Sequence, residues 1–282
     1  MEALQKILLK LNGSETTFEE MTPLEREQMN VDDLNAMEGD RHLEDGYECK
    51  LCKNKGRIYK VIECHDGSYT HTAVFCKCED TRRSILQMKK SGLKDVIKTY
   101  TFDKFETPEA WQKTLKSAAV EYAKNPEGWF FLGGQSGAGK THLCTAICRE
   151  FLLAGNAVVY MAWRDDISKL KGLAMEPEQR TVMINRYKQS KVLYIDDLFK
   201  TGKNPDGSKQ KPTSADINTA FEIINYRYNN PSLITIVSSE WTEDELLDID
   251  EATGGRIFER AKTFSIAPDR SRNYRTRKTV TV

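Results

Sequence analysis

At 282 residues, 39% of them apolar, the chain has room for one ordinary α/β domain, a smaller companion and a sizeable core. A formal net charge of zero excludes a protein that binds nucleic acid by bulk electrostatics alone. The opening MEALQKILLK breaks each short apolar stretch with a charge and has no small-residue cleavage site, so neither a signal peptide nor a membrane span is expected, and a cytoplasmic location follows.

Residues 1–48 hold 13 acidic and 4 basic side chains, a net of −9 that leaves +9 for the remainder. An acidic head on a basic body suggests two tasks. Residues 2–11 and 24–38 have helix-favouring composition, and the intervening NGSETTFEEMTP is rich in turn formers. Five of the seven cysteines then fall between residues 49 and 78, unlike the spread framework of a secreted disulfide protein. Cys49-x2-Cys52 and Cys76-x-Cys78 bracket a basic, β-prone stretch and supply four thiolates in two pairs, which predicts a structural zinc site. Cys64, His65 and His71 lie between the pairs as alternative donors. A polar segment this short builds too little core to fold alone, and metal binding supplies the missing free energy.

TRRSILQMKKSGLKDVIK reads as a basic helical connector, and the aromatic run TYTFDKF leads into the main domain. From residue 128 short apolar runs alternate with amphipathic ones, the pattern of βα units around a mostly parallel sheet. Strands are predicted at 128–132, 157–162, 191–196, 233–238 and 263–267. Helices are predicted at about 140–153, 165–172, 176–188, 214–229, 243–248 and 255–261.

Between the first of these strands and its helix stands GGQSGAGKTH. Gly134-x4-Gly139-Lys140-Thr141 matches the P-loop pattern in the strand-to-helix context the motif requires. Gly134, Gly137 and Gly139 let the backbone turn tightly, so that the N–H groups of Gln135, Ser136, Ala138 and His142 and their neighbours are available to phosphate oxygens. Lys140 adds a point charge at the β and γ oxygens. Thr141 offers a hydroxyl to Mg²⁺, and the helix presents its positive end to the anion. Further on, VLYIDD is an apolar strand ending in two carboxylates: Asp196 is expected to order Mg²⁺ and Asp197 to orient or deprotonate the attacking water.

With a P-loop, paired acids and the serine-ended strand SSE in this order, residues 100 to the end resemble the AAA+ ATPases, specifically the DnaC/DnaI-type replicative helicase loaders and their phage relatives. The resemblance implies an α/β fold with a five-stranded parallel sheet flanked by helices, preceded by a small zinc-binding helical/β domain. In the family, aromatics of the entering linker lie near adenine. Tyr100, Phe102 and Phe105 correspond, core packing being the alternative. SSE lies where the family senses the γ-phosphate, which assigns sensing to Ser239 with Ser238 as the alternative; Glu240 replaces the family's asparagine. GGRIFERA resembles the segment carrying the arginine finger, so Arg256, or Arg260 one turn on, is expected to reach nucleotide on a neighbouring subunit, which implies self-association.

The resemblance thus implies three regions: residues 1–80, an acidic helicase-interaction region with the zinc module; 81–99, a basic linker; and 100–282, the ATPase. It implies ATP, Mg²⁺ and Zn²⁺ as cofactors and a hexameric replicative helicase and single-stranded DNA as partners, with no membrane. Lys200, Lys203, Lys209 and Lys211, and the C-terminal Arg270, Arg272, Arg275, Arg277 and Lys278 around Tyr274, are candidate DNA contacts, a solvated face being the alternative. Trp163 and Arg164 are further stacking candidates. The expected function is that of an ATP-dependent helicase loader. The alternatives are an IstB-type transposition helper, which the cysteine module disfavours; a nucleotide-gated DNA adaptor with little turnover; and a metabolic P-loop kinase, which the tandem acids disfavour.

Overall fold

The computed structural model describes residues 21–93 and 95–277. The helix expected at 2–11 and the terminal Lys278 lie outside the described residues. The chain divides into two compact units between Glu79 and Asp80.

In the first unit the helix Pro23–Ala36 starts where its sequence says it must. The Thr22 side chain accepts the Glu25 N–H, the Glu25 carboxylate accepts the Thr22 N–H, and Pro23 occupies the first turn. The helix buries Val31, and Asn35 exchanges two 2.9 Å hydrogen bonds with the Tyr59 backbone, fixing it to strand β1 (Arg57–Glu63). β1 pairs antiparallel with β2 (Tyr69–Phe75), the hairpin that the β-prone stretch between the cysteine pairs suggests.

The second unit holds five parallel strands: β3 (Trp129–Gly134), β4 (Val158–Ala162), β5 (Val192–Leu198), β6 (Ile234–Ser239) and β7 (Ala261–Ile266), in the order β4-β5-β6-β3-β7. Central strands are buried on both faces, hence their continuous apolar sequence. Phe131 joins the cluster of Trp129, Leu193, Ile195 and Ile223, while Phe130, facing oppositely, packs on Tyr122 and Phe264. The cradle strand β3 and the acid-bearing β5 flank β6, so their C-terminal ends open onto one crevice where the strand order reverses, the usual ligand position in such sheets.

The structure departs from the sequence reading in several elements. The basic connector is two helices, Cys78–Lys90 and Val96–Thr99, because Gly92 takes φ +95° and stops the first. The helix Ala110–Lys124 has no counterpart in the sequence reading. The helix expected at 255–261 begins earlier, as Glu251–Arg260, with the Asp250 carboxylate accepting the Thr253 N–H; its Gly254 packs so closely on Leu246 and Leu247 that a Cβ would meet them at 3.0–3.1 Å. No described helix is long and apolar enough to cross a membrane.

Candidate functional site

β3 ends in Gly134 at φ +97°, where a Cβ would stand 2.0 Å from the Ile266 carbonyl oxygen, so no other residue fits beside β7. The chain then loops to Gly139 at φ +89°, packed on the Phe105 ring, and starts the helix Lys140–Leu153. Lys140 is 5% exposed and donates 2.8 Å hydrogen bonds to the Gly134 and Gln135 carbonyls; burial pulls its pKa below the usual lysine range. The ammonium is thus held within the cradle that an anion would occupy.

Strand β5 delivers both acids. Thr141 donates to Asp196 Oδ1 at 3.1 Å, Tyr194 at 2.7 Å and Ser238 at 2.5 Å, while Tyr160 donates to Oδ2 at 2.9 Å. Burial, with Asp196 beside them, pushes both tyrosine pKa values well above the ordinary phenol range, so they stay protonated donors. After Ile195 the β5–β6 register slips, and Asp197 takes φ +57°, rare for a residue with a Cβ. Ser238 serves both acids: its hydroxyl donates to Asp196 and accepts the Asp197 N–H at 2.9 Å. Asp197 Oδ2 pairs with Lys200 Nζ at 2.6 Å. Lys200 reaches Glu240 at 3.2 Å, and Glu240 accepts the Ser136 hydroxyl at 3.0 Å. Burial first, and then the Asp196 charge, push the Asp197 pKa up.

These groups surround a cavity of about 490 Å³. Ser136, Gly137, Ala138, Gly139, Lys140, Thr141 and His142 line it with Asp196 and Asp197. Gly134 and Gln135 support the cradle from behind, Gln135 accepting the Asp269 N–H. Tyr100 and Phe105 line the cavity, each edge-on to the His142 ring, which hydrogen-bonds the Thr101 carbonyl; Phe102 is outside the lining.

Ser239 is a correction. Its side chain is fully buried away from the cavity, donating to the Leu198 carbonyl and accepting the Trp241 N–H. Neighbours along a strand point to opposite faces, and the face toward the acids belongs to Ser238. Trp163 is also corrected: at 1% exposure it packs on Phe199 in the core and offers no stacking surface, although Arg164 beside it is exposed.

Arg256 lies outside the cavity of its own chain. It is held on the helix Glu251–Arg260 by Asn225 and stacked over Phe221, and Arg260 stacks over Tyr228. In the basic loop Lys200 and Lys209 turn inward, Lys209 onto Glu245 and the Trp241 ring, which leaves Lys203 and Lys211 exposed. Of the C-terminal run, Arg275 lines the cavity, Arg272 lies over Trp111 and Arg270 is exposed. Tyr274 is bound through its N–H to the Gly137 carbonyl. Sequence reasoning missed Tyr160, Lys200 and Tyr274 as cavity groups, and Tyr194 as a buried support of Asp196. Only Tyr194 had a local signal, standing two residues before Asp196 and so on the same strand face.

In the first unit the sulfur atoms of Cys49, Cys52, Cys76 and Cys78 all lie within 4.8 Å of one another, with Cys49–Cys76 at 3.8 Å and Cys52–Cys78 at 3.6 Å. Tetrahedral Zn²⁺ with bonds of about 2.3 Å places its sulfurs about 3.8 Å apart, so this buried donor set fits the metal. Lys53 and Asn54 turn left-handed after the first pair, the Asn54 side chain accepts the Cys49 N–H, and the Gly56 N–H points at Cys52 Sγ. Cys64, His65 and His71 are outside the cluster.

Residues 76–277 match the model of the IstB-like ATP binding proteins. The chain is 31% identical over 231 residues to the phage-like element PBSX protein XkdC of Bacillus subtilis, covering 78% of this chain and 82% of XkdC. It is 31% identical over 85 residues to the replicative helicase loader DnaC of Escherichia coli, 29% of this chain and 35% of DnaC. The crystal structure of a DnaC helicase loader superposes with a TM-score of 0.50 at 21% identity, covering 61% of this chain and 98% of that one, a likeness of fold.

Proposed function

Because the chain belongs to the family of IstB-like ATP binding proteins, we propose that it is an ATPase that loads a hexameric replicative helicase onto single-stranded DNA. The observation that carries the ATPase reading is the meeting of Lys140, Thr141, Asp196 and Asp197 on one cavity. In this reading the cradle N–H groups and Lys140 bind the phosphates, and Tyr100 and Phe105 border the base. Thr141 and Asp196 hold Mg²⁺, which when bound neutralises charge on the β and γ oxygens. Asp197 accepts the proton of the attacking water once freed from Lys200, and Ser238 holds both acids in place. The loader role is supported by the similarity to DnaC, and the cysteine module weighs against a transposition helper. We assign the helicase contact to residues 1–80, with 81–99 as linker and 100–282 as the ATPase.

The Asp197–Lys200 ion pair favours one second reading, a nucleotide-gated adaptor with little turnover. Mixing the full chain with candidate hexameric helicases decides. A loader co-elutes with one of them, and the pair transfers helicase onto single-stranded DNA in an ATP-dependent way with phosphate release. Transfer without phosphate release selects the adaptor, and no association with any helicase rejects the loader.

A further inference from the structure

We infer that Tyr160 is a positioning residue for the carboxylate of Asp196: its hydroxyl locks the carboxylate in the orientation that receives Mg²⁺. This rests on the reading of Asp196 as the Mg²⁺ residue.

A carboxylate offers about four lone-pair positions. Here four hydroxyls converge on one group: Thr141, Tyr194 and Ser238 on Oδ1, Tyr160 on Oδ2. They are not equivalent. Thr141 belongs to the cradle, and its hydroxyl keeps two lone pairs for a cation while it donates its one proton to Oδ1. Tyr194 and Ser238, both fully buried, also hold Oδ1. Oδ2 has Tyr160 as its one hydrogen-bond donor among the described residues. Without it Oδ2 has no hydroxyl donor, and the orientation of the carboxylate rests on its Oδ1 contacts alone.

The fold builds this contact deliberately into the sheet. Tyr160 and Tyr194 are direct cross-strand partners of β4 and β5, and Ala162 is the partner of Asp196. Side chains two residues apart share a face, so Tyr160 and Tyr194 both lie on the face of Asp196. Their rings meet edge-on at 5.3 Å, which fixes the tilt that carries each hydroxyl to a different carboxylate oxygen. Tyr160 itself lines the cavity, beside Asp196.

The test compares the parent with Tyr160→Phe, which keeps the ring and removes one hydroxyl, by titrating a fluorescent ATP analogue in EDTA and across a Mg²⁺ series. Expected are an EDTA affinity within about twofold of the parent and a Mg²⁺ concentration for half-maximal tightening raised about tenfold, the lower end of the usual effect of removing a ligand's supporting hydrogen bond. An unchanged Mg²⁺ requirement, or equal weakening with and without Mg²⁺, overturns the inference. Should Tyr160→Phe fail to fold by circular dichroism, Tyr160→Met, which likewise removes the hydroxyl, carries the same comparison. A parent that binds ATP equally with and without Mg²⁺ overturns both this inference and the role given to Asp196, so the two failures are told apart.

Discussion

Lys140 and Asp197 line one cavity and, in the proposed reading, answer to different charges. On that reading Lys140 meets phosphate charge already present in bound ATP, and Asp197 acts on a water only as the reaction proceeds. Lys140→Ala is therefore expected to weaken ATP binding roughly 10- to 100-fold, the scale of one lost charge-assisted hydrogen-bonding group. Asp197→Asn is expected to bind ATP like the parent and to lose about 10²-fold or more in turnover. Calorimetry and phosphate release measure the two separately; an Asp197→Asn protein hydrolysing at the parental rate moves the base elsewhere, with Glu240 next in line. At this scale the sequence was most legible where chemistry is local. Gly134 to His142 read as a cradle because the turn is made within nine consecutive residues. The choice between Ser238 and Ser239 was not legible, because it depends on the β5–β6 register, which pairs Tyr194 with Ile236 and so puts Ser238 on the face of Asp196.

Among the elements, the hairpin of β1 and β2 depends most visibly on something besides its own packing. Phe75 is 74% exposed and Ile62 43%, so the strands bury little apolar area, and the four thiols gather at the end where β1 begins and β2 ends. We expect one zinc per purified chain by metal analysis. Stripping it with a chelator is expected to abolish amide-exchange protection in β1 and β2 while β3 to β7 stay protected, and Cys52→Ser is expected to mimic this. Protection that survives removal of the metal sinks the idea. Element existence was legible where periodicity is strong, as in β3 and β5. The helix Ala110–Lys124 escaped because its inner face includes Gln112, Ala118 and Ala119, small or polar groups with little apolar signal. The helix Glu251–Arg260 was read short because Gly254 looks like a breaker; it is there for close packing against Leu246 and Leu247.

For the molecule as a whole, the position of Arg256 sets the experiment. It lies outside its own chain's cavity, so a role in hydrolysis requires a neighbouring copy whose γ-phosphate it reaches, where a cation stabilises charge that develops in the transition state. Activity per chain is then expected to rise with protein concentration, or on adding helicase or single-stranded DNA. Arg256→Ala is expected to bind nucleotide normally and lose that rise. Mixed with Lys140→Ala, each inactive alone, it is expected to recover partial activity, since one interface joins an intact arginine to an intact cradle. Co-assembly without recovery returns Arg256 to a surface role and leaves Arg260 as the candidate.

The sequence by itself determined the βα order, the five strands, the cradle and the two paired-cysteine motifs, because each is written in residues close together and governed by local geometry: a period, a glycine turn, a spacing of thiols. Only the tertiary structure decided what surrounds Asp196. Tyr160, Thr141, Tyr194 and Ser238 come from three strands and a helix, and they converge through strand order and cross-strand register. The tertiary structure likewise turned Lys200 inward onto Asp197 and buried Trp163, because the direction of a side chain follows from the partners its element meets, and those partners lie far away along the chain.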